Sequence, residues 1–355
     1  MSMEKSSVTN CVRVGYGAIS KWHEQKLSSL GIETLAIIEK NQDRKKQAKH
    51  DGFSVAPNYL DASRMQPGFW DVCCSTQAHL PVVEEIIKVA PNANILIEKP
   101  LCLASQIPSF KYLLQNFSGK IVTNENYRAS HITLIIRHLI NKLKLKPDVI
   151  ISEMSKNRSQ DFIGGRFIDE EYYVLGYEGP HMINNVLALG PEYAPAKRLQ
   201  QKWQDIDLNK EEQKLHLHRQ GKVEIQYQAR NSAQVTLYSS MDGDIGYLYP
   251  CSPYKNSHIP AEDSITRYRV LAVCDSHKKT QIIAYYEPVQ GLNRAQGMIH
   301  VLKYGELVLE IKPIDDDTLL QSFSSAIDCF ETQSAAHCSW QDAMSTVNMM
   351  HKLSH

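Results

Sequence analysis

The chain has 355 residues, 43% of them hydrophobic, with 39 Lys+Arg against 39 Asp+Glu and a formal net charge of +0. That length favours two domains with sizeable cores, and the balanced charge excludes the footprint of a protein that binds nucleic acid or a membrane surface. Met1 to Asn10 lack an apolar signal core, no apolar run would span a bilayer, and the eight cysteines show no metal-type Cys-x-x-Cys spacing; the expectation is a cytoplasmic protein with reduced thiols and no metal.

Val12 and Val14 alternate with Cys11 and Arg13 ahead of Gly15-Tyr16-Gly17-Ala18-Ile19-Ser20, a pattern of strand, tight turn and helix. Gly15 permits the turn, and Gly17 lets backbone approach a pyrophosphate with no Cβ in the way. The N–H groups around Ala18 and Ile19 would face the phosphates at the helix N-terminus. Ser20 takes the place of a third glycine and is small enough for close helix-to-strand packing. Thr34 to Ile38 reads as a second buried strand ending on Glu39, 22 residues beyond Gly17. That spacing suits a carboxylate on the ribose hydroxyls of NAD, and the charge repels the 2′-phosphate of NADP. Lys40 and Arg44 follow directly, so NADP is the alternative cofactor.

Asp71 to Thr76 reads as the next strand, before a helix that turns Leu80, Val83, Ile87 and Ala90 to one side. Ile95-Leu96-Ile97, apolar on both faces, reads as a strand of a parallel sheet, and it ends on Glu98-Lys99-Pro100. Pro100 removes a ladder donor and restricts Lys99 to extended dihedrals. The amine is thereby held at the sheet's C-terminal edge, where open α/β sheets bind ligands. Lys120 to Arg128 reads as a last strand of this domain, and His131 to Leu143 as a helix burying Leu134, Ile135, Leu139 and Leu143. Residues 1–128 are therefore expected to form a dinucleotide-binding domain and 129–355 a second domain for substrate binding and oligomerisation, with packing of its C-terminal helices back on the first domain as a further option.

Beyond this point the period changes. Val223, Ile225, Tyr227 and Ala229 alternate with polar residues, turn at Asn231-Ser232, and return through Ala233, Val235 and Leu237. Further strands are read at Arg269 to Cys274 and Gln281 to Tyr286, with a hairpin through Tyr304-Gly305-Glu306. This is an α+β domain on an open, mainly antiparallel sheet, whose uncovered face suggests a homodimer or homotetramer. Residues 241–264 read as a lid or subunit contact. Two helices close the chain, one burying Leu319, Phe323, Ile327 and Phe330, the other opened by Ser339-Trp340-Gln341-Asp342 as a capping box. In Gly176-Tyr177-Glu178-Gly179-Pro180-His181, the Gly-Pro step suits a turn entering a helix. His181, Asn184 and Asn185 would share a face, and a first-turn His181 would be kept neutral by the helix dipole. Arg158 and Arg166, flanking Gly164-Gly165, could hold an anionic substrate group or be surface residues. His216 and His218 read as a solvated strand face rather than a zinc site.

The Glu98-Lys99-Pro100 step downstream of a glycine turn, with Gly179-x-His181 beyond it, resembles the Gfo/Idh/MocA oxidoreductases, from about Val12 to Leu353. The resemblance implies a Rossmann domain with an α+β partner, NAD or NADP, and hydride transfer to or from a carbinol carbon of a sugar, aminosugar or cyclitol-like substrate. It implies cofactor contacts at Ser75, Thr76, His79, Glu98 and Lys99, and substrate contacts at Asn126, Tyr127 and Arg128. Lys99 and His181 would be catalytic. Tyr177 and Asn184 stand where the family's motif has aspartates; Tyr177 would orient substrate, with Asn184 and Asn185 beside it. The missing aspartates keep a reductase of an imine or tetrapyrrole in view; a non-catalytic dinucleotide-binding regulator is a further alternative, against which the presence of both Lys99 and His181 argues.

Overall fold

Short runs of consecutive apolar residues become the strands of a sheet covered on both faces, and long alternating runs become a sheet with two unlike faces. The computed structural model describes residues 8–165, 167–210, 213–259, 267–332 and 334–355. They fall into two units, the first running to Asn126 and including Leu319–Asn348, the second Tyr127–Thr318 with Met349–His355. Among the described residues no helix is long and apolar enough to cross a membrane.

The first unit alternates β1 (Asn10–Val14), α1 (Ala18–Ser29), β2 (Glu33–Ile38), α2 (Gln42–His50), α3 (Tyr59–Ser63), β3 (Phe69–Val72), α4 (Thr76–Val89), β4 (Asn94–Glu98), α5 (Ile107–Leu114) and β5 (Lys120–Asn124). All strand pairs are parallel, in the order β2-β1-β3-β4-β5. The order reverses between β1 and β3, and that switch point opens a crevice at the C-terminal ends of the two strands. One face of the sheet buries Val12, Val72, Ile95 and Ile97 with Val82, Val83 and Ile86 of α4. The other buries Cys11, Phe69, Leu96 and Val122 with Phe323, Ala326 and Phe330 of the helix Thr318–Thr332, which joins this core although it comes late in the chain. The final helix, Trp340–Ser354, opens as its capping box requires: Ser339 N donates to Asp342 Oδ2 at 3.1 Å and Asp342 N to Ser339 Oγ at 3.2 Å.

The second unit contains α6 (His131–Lys142), β6 (Val149–Ser155), α7 (Ser159–Ile163), α8 (Leu175–Leu189), and the strands β7 (Pro195–Lys210), β8 (Gln213–Ala229), β9 (Gln234–Ser240), β10 (Tyr268–Asp275), β11 (Thr280–Tyr285), β12 (Gln296–Lys303) and β13 (Glu306–Asp315). The sheet order is β13-β12-β11-β10-β6-β9-β8-β7. Among the described residues only the β6–β9 pair of this sheet is parallel. α6 and α8 cover one face through Ile132, Ile136, Met182, Ile183 and Val186 against Ile150, Met154, Leu271 and Val273. On the other face Ile245, Tyr254 and Ile259 pack against Tyr268, Val270, Tyr285 and Met298. Most of the segment read as a lid or subunit contact thus covers the chain's own sheet; residues 260–264 lie outside the described ones.

Two helix faces differ from the sequence reading. In α4, Val82, Val83 and Ile86 are buried whereas Leu80 and Ile87 are only partly so. Leu134 of α6 and its C-cap Leu143 are 47% and 40% exposed, and Ile132 and Ile136 take the core positions. Ser130 Oγ accepts from Thr133 N at 3.2 Å and Asp316 Oδ1 from His131 N at 2.7 Å, which fixes where the helix begins and hence its phase.

Candidate functional site

At the switch point Gly15 has φ +98°, and a Cβ there would lie 3.0 Å from Cys73 C and Cys74 N. Only glycine permits β1 to turn so close to the exit of β3. A Cβ on Gly17 would instead meet nothing nearer than Arg44 Nη1, at 3.9 Å. Gly17 is the N-cap of α1 and supplies no side-chain cap, while Ala18 and Ile19 are exposed. The first N–H groups of α1 therefore face open space, with a guanidinium close by. Glu39 frames the turn: its Oε2 accepts from Tyr16 N at 2.7 Å and its Oε1 from Lys40 N and Asn41 N at 2.7 and 2.9 Å. Oε2, with a single donor, has further acceptor capacity. At the end of β3, Ser75 is the N-cap of α4, again without a side-chain cap bond, and Thr76 is the first helical residue.

His79 does not join this rim. It is fully buried in α4, its Nδ1 lying 3.1 Å from Pro100 O and Leu101 O and its Nε2 3.1 Å from Cys74 O. Burial lowers its pKa. It ties the loop after β3 to the loop after Lys99, which corrects its expected cofactor contact: the helix begins at Thr76, so residue 79 points inward.

Lys99 leaves β4 half-buried before a cis peptide to Pro100. The neighbouring Glu98 is 8% exposed and is gripped from two sides. His23 Nε2, from α1, lies 2.8 Å from Glu98 Oε1, and Asn124 Nδ2 donates to the same oxygen. His23 Nδ1 lies 2.8 Å from Asp71 Oδ1, whose other oxygen accepts from Arg13 Nε at 2.7 Å. Asn124 Oδ1 in turn accepts from Ser322 Oγ at 2.7 Å. An imidazole between two carboxylates donates from both nitrogens, so His23 is an imidazolium. Burial opposes that charge, but Cys73 and Asp71 outweigh it and hold the pKa well above 6.5. His23, Asp71 and Cys73 bring metal-ligand atoms within 4.8 Å of one another; the doubly protonated ring leaves no nitrogen lone pair for a cation. The sequence reading passed over His23, although Ser20, His23 and Leu27 mark the buried stripe of α1 at helical spacing.

In the second unit α8 starts at Leu175, so Pro180 and His181 lie inside the helix, not in its first turn. The dipole argument for a neutral His181 therefore fails. Glycine is needed at 176 because a Cβ there would lie 2.1 Å from Asp169 Oδ2. The His181 ring packs on Tyr127 at 5.1 Å, and Tyr127 is 2% exposed beneath it. The Tyr177 hydroxyl, expected to orient substrate, donates to Phe167 O at 3.1 Å and accepts from Asp169 N at 3.0 Å. Its role in this structure is to pin that segment. Asn184 is fully buried, donating to Pro180 O at 2.8 Å and accepting from Arg128 Nε at 2.5 Å. Asn185, also fully buried, accepts from Thr133 Oγ1 at 3.4 Å. These two asparagines brace α8 rather than line a surface. Asn126 is half-buried at the end of the first unit, and Arg166 lies outside the described residues.

Glu178, next to His181, is 3% exposed. It meets Arg158 Nη2 at 2.6 Å and Arg269 Nη2 at 3.7 Å. Burial would raise its pKa, but Arg269 and Arg158 hold it well below the usual carboxylate range. Arg158, weighed as a surface residue, is 6% exposed. His216 and His218 are exposed as expected, with Asp205 and Asp207 of the neighbouring strand beside them.

No protein-family model and no curated protein matches the chain. Solved structures do. A protein of Desulfitobacterium hafniense aligns at TM-score 0.74 and 10% identity over 96% of this chain and 93% of its own. A UDP-N-acetylglucosamine 3-dehydrogenase from Acidithiobacillus ferrooxidans aligns at 0.67 and 12%, covering 98% and 96%. An oxidoreductase from Agrobacterium radiobacter, in complex with NAD+, L-tartaric acid and magnesium, aligns at 0.70 and 12%, covering 97% and 94%. This likeness establishes a two-part fold shared along nearly the whole chain: a Rossmann-like parallel sheet joined to a mainly antiparallel one.

Proposed function

We propose that the chain is a nicotinamide-dependent oxidoreductase acting on a carbinol or keto carbon of a sugar-like or cyclitol-like substrate, within the Gfo/Idh/MocA group. The observation that carries this reading is the rim of the parallel sheet. The uncapped N-terminus of α1 follows a turn that only glycine fits, and Glu39 is tied to that turn. These residues fit a dinucleotide: α1 N–H groups for the pyrophosphate, Glu39 for ribose hydroxyls, and the α4 N-terminus at Ser75 and Thr76 as a second set of donors. Arg44 beside Gly17 keeps NADP as the alternative to NAD. The bound nicotinamide supplies hydride chemistry. Lys99 hydrogen-bonds the reacting oxygen and stabilises its negative charge, and His181 takes the hydroxyl proton. The solved neighbours named for a UDP-aminosugar substrate and for bound NAD+ agree with the reading.

The test incubates the purified protein with NAD or NADP and a panel of sugars, aminosugars, uronic acids and inositols while following nicotinamide absorbance. Turnover by one class is the expected result, reduced about 10²- to 10⁴-fold in Lys99→Ala and in His181→Ala. Dinucleotide binding with no turnover on any panel, or full turnover in both variants, removes the assignment.

A further inference from the structure

The register of β6 and β10 gathers basic residues at one end of the second sheet. Tyr268 stands opposite Ser155 and Arg269 opposite Met154. Just beyond these strand ends come Arg267 and Lys156, close enough that the charge of Arg267 acts on Lys156, and like charges held near one another cost stability. Met154, Leu271 and Val273 of the same strand faces belong to the core beneath α8, so Lys156, Arg267 and Arg269 extend an otherwise apolar, helix-facing surface. Arg158 follows two residues after Lys156.

Four basic side chains thus crowd one region, and their side chains are largely out of water: Lys156, Arg158 and Arg269 are 8%, 7% and 10% exposed. Asp161 meets Lys156 at 3.3 Å and Arg158 at 3.1 Å, and Glu178 meets Arg158 and Arg269. Glu287 adds a weaker field at Arg269. The positive charge is not fully matched. Arg158 Nε and Arg267 Nε are buried with no hydrogen-bond partner among the described residues. The charge that weighs most on Arg267 is Arg269, and with burial it pulls the Arg267 pKa down to about 10. Burial and Arg158 lower that of Lys156. Buried guanidinium groups are tolerated when paired and hydrogen-bonded, and guanidinium N–H groups left open in such a place suit a phosphate or carboxylate. Arg267 and His181 retain partial exposure, so the region reaches solvent.

We propose that this basic end of β6 and β10, with Arg267 and Arg158 as the donors, is a binding site for an anionic group, a phosphate or a carboxylate, carried by the substrate. That the anion belongs to a substrate rests on the oxidoreductase reading; the anion site itself does not.

The experiment titrates inorganic phosphate and, separately, malonate into the full chain at ionic strength held constant with KCl, following unfolding temperature and binding heat. Saturable stabilisation is expected from at least one anion, phosphate alone pointing to a phosphorylated substrate and malonate alone to a carboxylated one. The dissociation constant should rise about tenfold or more in Arg267→Gln, and Arg267→Lys should keep part of the effect. An anion held at the α1 N-terminus would be indifferent to residue 267. Absence of saturable binding by both anions, or a response that Arg267→Gln leaves intact, overturns the proposal. Binding is read without turnover, so the two readings fail separately: an anion response without nicotinamide chemistry leaves the site standing, and an active enzyme without an anion response removes only the site.

Discussion

Each unit buries a chain of charges, and the two chains are built on opposite principles. In the first, Arg13, Asp71, His23, Glu98 and Asn124 pass hydrogen bonds from one to the next, two cations alternating with two carboxylates. Its charges are balanced, with Arg13 Nη2 the one nitrogen of these five residues left without a partner among the described residues, and the network fixes the strand end from which Lys99 projects. In the second, Lys156, Arg158, Arg267 and Arg269 outweigh Asp161 and Glu178, and two guanidinium N–H groups stay open. A charge-balanced network supplies position, whereas one with surplus positive charge supplies affinity, because an anion that arrives later completes it.

The largest way to break the first pattern is His23→Leu, which strands Asp71 and Glu98 without their shared cation. A loss of about 3–5 kcal/mol in denaturant unfolding is expected, and a change below about 1 kcal/mol would mean the network is not a unit. Glu178→Gln should cost about 2–4 kcal/mol by denaturant unfolding, since it leaves Arg158 and Arg269 facing a neutral amide. Arg267→Gln should do the reverse, raising the stability of the anion-free protein by up to about 1 kcal/mol because it removes a like-charge neighbour. Opposite signs for these two substitutions in one charge cluster would sharpen the contrast, and equal losses would erase it.

The smallest effect is a pH dependence. His23 has its folded pKa above the usual 6.5, so its contribution is complete below about 6.5 and fades as pH rises through the folded value. Asp71 and Glu98 have folded values below the usual ones, so theirs is present above about 4.5 and fades as pH falls. Unfolding temperature against pH should therefore decline on the alkaline side in the native protein, and His23→Gln should flatten that limb.

What could be read from the sequence follows from how local its cause is. Gly15, the strand end at Glu98-Lys99-Pro100, and the Ser339–Asp342 box are specified within a few residues, and each holds in the structure. The start of α8 was misread because Gly179-Pro180 has the form of a turn. The helix runs from Leu175 straight through that step, with Gly176 set against Asp169. The burial of Asn184, Asn185 and Tyr177 was equally hidden, because a polar residue on a helix face does not announce whether its partner is water or backbone. Arg158, Glu178 and Arg269 are brought together only by strand register and helix packing, and no window of sequence contains that information.

The tether between Glu39 and the backbone of Tyr16 has a practical consequence for redesign. Exchanging that carboxylate to alter nucleotide preference would also release an amide in the glycine turn, so selectivity and loop rigidity cannot be tuned independently at this position. A redesign that leaves residue 39 in place and varies Arg44 would separate the two properties.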